Sequence, residues 1–250
     1  QPMGDLPFER AVELFGETIR IGAAAGADLV LIETMSDSYE AKAAVLAAKE
    51  NCDLPVLVTL IFDEKGKLLT GGTVDSTVSM LEGLRVDALG VNCGLGPKQM
   101  HPIIERLTQV SSLPIIVNPN AGLPRSENGK TVFDIAPAEF SDLMEEIAGM
   151  GVQALGGCCG TTPEHLLLTI EKCRKVPFAV RWSPRSRRPW RSVRSRLSLV
   201  SVSTRPARAN SRQLCARITS STSSVKAWRR RTAAHIFLMS TSVCLKSTNP

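Results

Sequence analysis

The sequence predicts an α/β fold of the (β/α)8 TIM-barrel type, incomplete at about five βα units, over residues 1–180. Three observations carry this. Short apolar runs of strand length recur along the chain, as in a parallel sheet whose faces are both covered. Between them lie segments with apolar residues at i, i+3, i+4 and i+7. Polar and thiol residues then gather where each apolar run ends, and in a barrel the C-terminal strand ends carry the chemistry.

The first strand is expected over residues 28–33, ending at Glu33, with Ser36 or Asp37 capping a helix over 39–50 whose buried stripe is Ala41, Ala44, Val45 and Ala48. The second covers 55–62 and bears Thr59 near its end. A polar, glycine-bearing loop over 63–73 follows, on the side of the strand ends, and is a candidate part of a lid. The third strand, 88–93, runs into Asn92-Cys93-Gly94, and the fourth, 114–118, into Asn118-Pro119-Asn120. A helix starting near Pro137 carries Phe140, Leu143, Met144 and Ile147 on one face and stops at Gly149 and Gly151. The fifth strand, 153–157, delivers Cys158 and Cys159, after which Thr161 or Thr162 ahead of Pro163 opens the next helix.

Charge divides the chain in two. Residues 181–250 hold 16 of the 30 Lys and Arg and none of the 24 Asp and Glu, so residues 1–180 carry 14 − 24 = −10 against the overall +6. An acidic body argues against nucleic acid as its ligand. The Arg- and Ser-rich tail, which holds Trp182, Trp190 and Trp228, shows no sustained periodicity. It reads as disordered or as an out-of-frame translation, with a nucleic-acid-binding basic arm as the functional alternative. No apolar run of about 18 residues and no leading charged-then-apolar signal occur, which is the pattern of a cytoplasmic chain.

In a reducing compartment cysteines favour metal binding or catalysis over disulfides. Cys52 and Cys173 read as small apolar fillers. Cys93 and the pair in Gly156-Gly157-Cys158-Cys159-Gly160 differ, because each follows a buried strand and the flanking glycines leave room for a close approach. Three thiolates at one end of a parallel sheet make a zinc site with an open fourth position, which suits a catalytic metal. A reactive thiol beside a bystander, or a vicinal disulfide, is the alternative for the adjacent pair.

Glu33-Thr34, Asn92-Cys93, Asn118-Pro119-Asn120-Ala121-Gly122 and the run from Gly156 to Pro163 resemble the homocysteine S-methyltransferase family. The loop over 63–72 and Glu127-Asn128-Gly129-Lys130 are most similar to the homocysteine-binding barrel of its cobalamin-dependent methionine synthase branch. The resemblance implies that Cys93, Cys158 and Cys159 hold Zn2+, with the homocysteine sulfur as fourth ligand and methionine as product. It implies further that Glu33 receives the substrate's amino group, that Asn120 lies beside the metal, and that backbone amides around Gly94 and Gly156-Gly157 receive the carboxylate. Methylcobalamin on another domain is then the methyl donor, and the cobalamin- and folate-binding domains of a longer enzyme are the partners; betaine or S-methylmethionine are alternative donors. A non-catalytic zinc or thiol domain is the reading outside this class. Because the family's barrel has eight strands, the five found here imply an N-terminally truncated fragment with little or no activity of its own.

Overall fold

The computed structural model describes residues 4–177, 199–203 and 236–239. Five parallel strands, β1 (Leu29–Met35), β2 (Val56–Leu60), β3 (Ala88–Asn92), β4 (Ile115–Asn118) and β7 (Ala154–Gly157), alternate with helices. The helices are α1 (Phe8–Ala24), α2 (Ser38–Asn51), α3 (Val74–Gly83), α4 (Pro97–Val110), α5 (Pro137–Gly149) and α6 (Pro163–Cys173). A two-stranded antiparallel hairpin, β5 (Arg125–Glu127) and β6 (Lys130–Val132), interrupts the β4-to-α5 connection. Its Asn128 and Gly129 both have positive φ, the pairing that a tight hairpin turn demands.

Strand order in the sheet follows chain order, β1-β2-β3-β4-β7, and every pair is parallel. Successive crossovers in one direction put the helices on one face of the sheet, the winding of a barrel. Of the two covered faces that the two-sided apolar strands imply, one lies under the helices and the other is the inner wall of the barrel type. Val30, Ile32, Val58, Val91, Val117 and Leu155 join the helices in the larger core, while Leu29, Leu31, Leu57, Ala88, Ile116 and Ala154 form a separate inner layer. The side chains of a strand alternate, so the same inner face continues upward from that layer through Glu33, Thr59, Asn92, Asn118 and Cys158. The floor is apolar and the rim polar, in one pleat register.

Local chemistry fixes the helix ends. The Asp37 carboxylate accepts the Glu40 N–H at 2.8 Å and starts α2. Thr73 and Ser76 close a reciprocal box at α3, and Thr162 caps α6 just ahead of Pro163. Helix α5 ends with Met150 as cap and Gly151 at φ 89° beyond it, close to the expected stop.

The sheet is wider than five strands. Residues 199–203 (β8, Leu199–Ser203) pair in parallel with β1, and 236–239 (β9, Ile236–Met239) pair in parallel with β7. These segments of the basic tail thus have regular structure where none was expected. The edge strands of an open sheet offer unpaired N–H and C=O groups that apolar, strand-forming segments can satisfy. Within the described residues the order β8-β1-β2-β3-β4-β7-β9 leaves the two ends of the sheet unjoined, an incomplete barrel. The tail's three tryptophans lie outside the described residues. No helix among the described residues is long and apolar enough to cross a membrane.

Candidate metal centre

Cys93 leaves β3 in the left-handed region (φ 59°), and Gly94 after it does the same (φ 74°). This reversal turns the Cys93 side chain, which alternation would have sent toward the helices, across to the rim of the inner wall. Cys158 stands at the top of β7 on the inner face, and Cys159 follows it into a turn closed by Gly160 at φ 81°. The three sulfurs lie within 4.8 Å of one another, with Cys93 Sγ and Cys159 Sγ at 3.7 Å. All are free thiols, so the vicinal disulfide does not form.

The segment Asn118-Pro119-Asn120-Ala121 laces the two cysteine loops together. The Asn118 carbonyl accepts the Cys93 N–H at 3.0 Å and the Pro119 carbonyl accepts the Cys158 N–H at 2.8 Å. The Asn120 side-chain oxygen accepts the Cys159 N–H at 3.0 Å, while the Asn120 N–H donates to the Leu95 carbonyl at 3.0 Å. Ala121 N–H closes the lacing on the Cys159 carbonyl at 2.9 Å. Asn120 thus reaches the cysteine cluster through its side chain, and one of its oxygen lone pairs holds the backbone of the third cysteine in place.

Proximity makes two of these thiols, Cys93 and Cys158, hard to ionise. At Cys93 a hydrogen bond from Cys158 favours the thiolate, but contact with Cys159 and burial outweigh it and raise the thiol. Cys158 is pushed far above the ordinary thiol range, first by its contact with Cys159, then by Cys93 and by burial. A divalent cation reverses that balance, because it favours all three thiolates at once. The geometry suits zinc: four ligands at about 2.3 Å in a tetrahedron put their sulfurs about 3.8 Å apart, close to the Cys93–Cys159 separation.

The other expected site residues distribute as follows. Glu33 is buried (3 % exposed) at the top of β1, on the inner wall it shares with the sulfurs. Gly94 directs its backbone N–H at the Cys93 sulfur, where it favours the thiolate. Asn118 is fully buried, and among the described residues neither atom of its amide has a hydrogen-bond partner; Thr59 Oγ1 is in the same position. Cys52 and Cys173 lie apart from the cluster, packed in or against the main core, and burial pushes the Cys173 thiol up to about 12. The 63–73 loop stands at the rim, tied to the β1–α2 connection by Leu69 N–H to the Ser36 carbonyl (3.1 Å) and Thr70 Oγ1 to the Asp37 carboxylate (2.8 Å).

Two contributors were not singled out from sequence. His165 Nδ1 accepts the Thr162 N–H, so its Nε2 carries the proton and donates to the Ile135 carbonyl at 3.0 Å, joining α6 to the end of the hairpin. The spacing Thr162-x-x-His165 is a capping-box spacing with His in place of Glu, and that was the available signal. Phe133 packs so closely on Gly160 that any side chain there would overlap its ring. No short-range pattern announces such a contact.

Comparison with known proteins fits this geometry. A family model described as Homocysteine S-methyltransferase matches residues 1–172. The chain belongs to the homocysteine S-methyltransferase family. Methionine synthase of Mycobacterium leprae is 35 % identical over 147 residues, 56 % of this chain and 12 % of that protein. Methionine synthase of Mycobacterium tuberculosis is 33 % identical over 185 residues, 72 % of this chain and 15 % of that protein. The chain thus spans only a small fraction of the length of these curated relatives. Among solved structures, the homocysteine methyltransferase MmuM from Escherichia coli in its metallated form superposes with a TM-score of 0.53 at 25 % identity, covering 65 % of this chain and 52 % of that one. Its apo form gives a TM-score of 0.52 at 24 % identity, covering 64 % and 57 %. The family's barrel is therefore the fold this sheet partly builds.

Proposed function

We propose that this chain carries the homocysteine-activating centre of a methionine synthase type enzyme, with Zn2+ on Cys93, Cys158 and Cys159 and methionine as product. The observation that supports it is the convergence of three sulfurs from two separate strand ends at metal-ligand spacing, in a chain of this family. The donor set is three thiolates, which leaves one tetrahedral position for a substrate sulfur. Zinc there would supply Lewis acidity, lowering the pKa of a bound thiol so that it is a thiolate at neutral pH.

The chain's own residues do the rest. The three cysteine sulfurs, already gathered by the Asn118–Ala121 lacing, need little rearrangement to act together. Glu33, buried on the same inner wall, offers a carboxylate to the α-ammonium of homocysteine, a charge-assisted contact strengthened by its partly dry surroundings. The apolar inner layer beneath closes the floor against water. Methylcobalamin on a separate domain is the donor that fits relatives named methionine synthase, and the cobalamin- and folate-binding domains of a longer protein are the corresponding partners.

The test is zinc stoichiometry with X-ray absorption at the zinc edge. One zinc per chain is expected, with three sulfur scatterers that become four when homocysteine is added. Zinc retained after Cys93, Cys158 and Cys159 are all changed to Ser, or a sulfur count unmoved by homocysteine, would overturn the reading.

A further inference from the structure

One residue at the rim is held in a backbone conformation its side chain disfavours, and one amide ties it to the sulfur cluster. Thr34, next to Glu33, has φ 67°, a conformation rare for a β-branched residue. The β1–β2 register slips at the same place: Ile32 pairs with Val58, yet Met35 pairs with Leu60, so β1 carries one extra residue. Thr34 is held there by Asn92, reaching across the top of β2 from β3. The Thr34 N–H donates to Asn92 Oδ1 at 2.9 Å, and Asn92 Nδ2 donates back to Thr34 Oγ1 at 2.7 Å. A backbone N–H must meet an acceptor, so this pair fixes which way the amide points. Its second N–H then faces Cys158 Sγ at 4.0 Å. Asn92 is fully buried and immediately precedes Cys93 in the chain.

We propose that Asn92 is a positioning residue that sets Glu33 and the sulfur cluster in register, so that one substrate can engage both its amino group and its thiol. The inference rests on the reading of Glu33 as acceptor of the ammonium. Asn92 touches neither the ammonium nor the metal. It fixes the Thr34 bulge, the bulge aims Glu33 along the inner wall, and the same amide braces Cys158. A substrate that bridges amino group and thiol needs that spacing held; a thiol without the amino group does not.

The test uses the 250-residue chain loaded with Co2+, whose thiolate absorption reports sulfur binding. Each variant is titrated with L-homocysteine and with 4-mercaptobutanoate, the same thiol lacking the amino group. The native chain should favour homocysteine by about tenfold or more, and Glu33→Gln should remove most of that preference. Asn92→Ala should also remove it, with 4-mercaptobutanoate affinity changed by less than about threefold, and adding Asn92→Ala to Glu33→Gln should cost little more, the non-additivity of a shared pathway. Thr34→Ser, which keeps the hydroxyl, should retain the preference, and Thr34→Val should lose much of it. This pair decides the matter should Asn92→Ala not fold. Asn92→Ala weakening both thiols equally, or additivity in the double variant, would overturn the role of Asn92 while leaving Glu33 in place. A preference that survives Glu33→Gln would overturn both.

Discussion

Asn120→Ala tests whether the Asn118–Ala121 segment is what holds the sulfur cluster together. Asn120 is buried (3 % exposed), and its side-chain oxygen is the acceptor for the Cys159 N–H at 3.0 Å. Truncation leaves that N–H without a partner in a half-buried turn, at a cost of about 1–3 kcal/mol. For a chain of this size, about 2 kcal/mol corresponds to a fall of about 4–8 °C in Tm. The backbone bonds from Asn120 N–H to Leu95 and from Ala121 N–H to Cys159 remain, so the turn loosens rather than unfolds. Cys159 is then a less organised ligand, and a loss of about tenfold in zinc affinity, or about 1.4 kcal/mol, is expected. Urea unfolding of the metal-free chain measures the first effect and competition with a chromophoric chelator the second. Asn120→Asp keeps the acceptor and should restore most of the stability. Metal-free stability of Asn120→Ala within about 0.5 kcal/mol of native, together with unchanged zinc affinity, would refute the lacing argument.

Three further outcomes follow from the packing. At Gly90 an added Cβ would overlap the backbone carbonyl of Ile116, which cannot move aside without breaking the β3–β4 ladder; Gly90→Ala should destabilise by more than about 3 kcal/mol and deplete soluble protein on expression. Cys173→Ala removes a buried sulfur that lies against the Met144 carbonyl, so it should cost about 1–2 kcal/mol in urea unfolding and leave metal stoichiometry unchanged, in contrast to Cys158→Ala. Asp37→Ala removes both the α2 cap and the acceptor for Thr70, which should cost about 1–2 kcal/mol and speed tryptic cleavage at Lys65 and Lys67 in the loop it tethers.

What was legible in the sequence was the part governed by short-range chemistry. Five apolar runs became five strands within one or two residues of their expected ends, because buried parallel strands read as unbroken apolar stretches. Asp37, Thr162 and Gly151 mark helix ends for reasons local to a few residues. The cysteines were legible because a thiol at a strand end, flanked by glycines, fits poorly with simple packing. Legibility failed where the cause lay far along the chain. Two-sided apolar strands read equally well as a sheet covered by helices on both faces or as a barrel wall, and only the strand order distinguishes them. The edge pairing of 199–203 and 236–239 depends on what β1 and β7, far away in the chain, leave open, and short apolar runs in the tail do not announce it by themselves. Thr34 gave no warning at all, since its conformation is imposed by an asparagine 58 positions away.

That long-range imposition has a physical logic. Thr34 and Cys93 are both non-glycine residues at positive φ, and such conformations cost about 1–3 kcal/mol each. They persist because neighbouring hydrogen bonds over-determine them: Asn92 holds Thr34 from its side chain, and the Asn118 carbonyl holds Cys93 from the next strand. Asn92 and Asn118 are themselves register partners on β3 and β4, so both restraints descend from one row of the sheet. A glycine at either strained position would relax the backbone and stabilise the loop alone. It would also release the side chain that the strain aims, the hydroxyl that grips Asn92 in one case and the first sulfur of the cluster in the other. The strain is therefore retained for what it orients, and the inner-wall asparagines are the elements that make it tolerable.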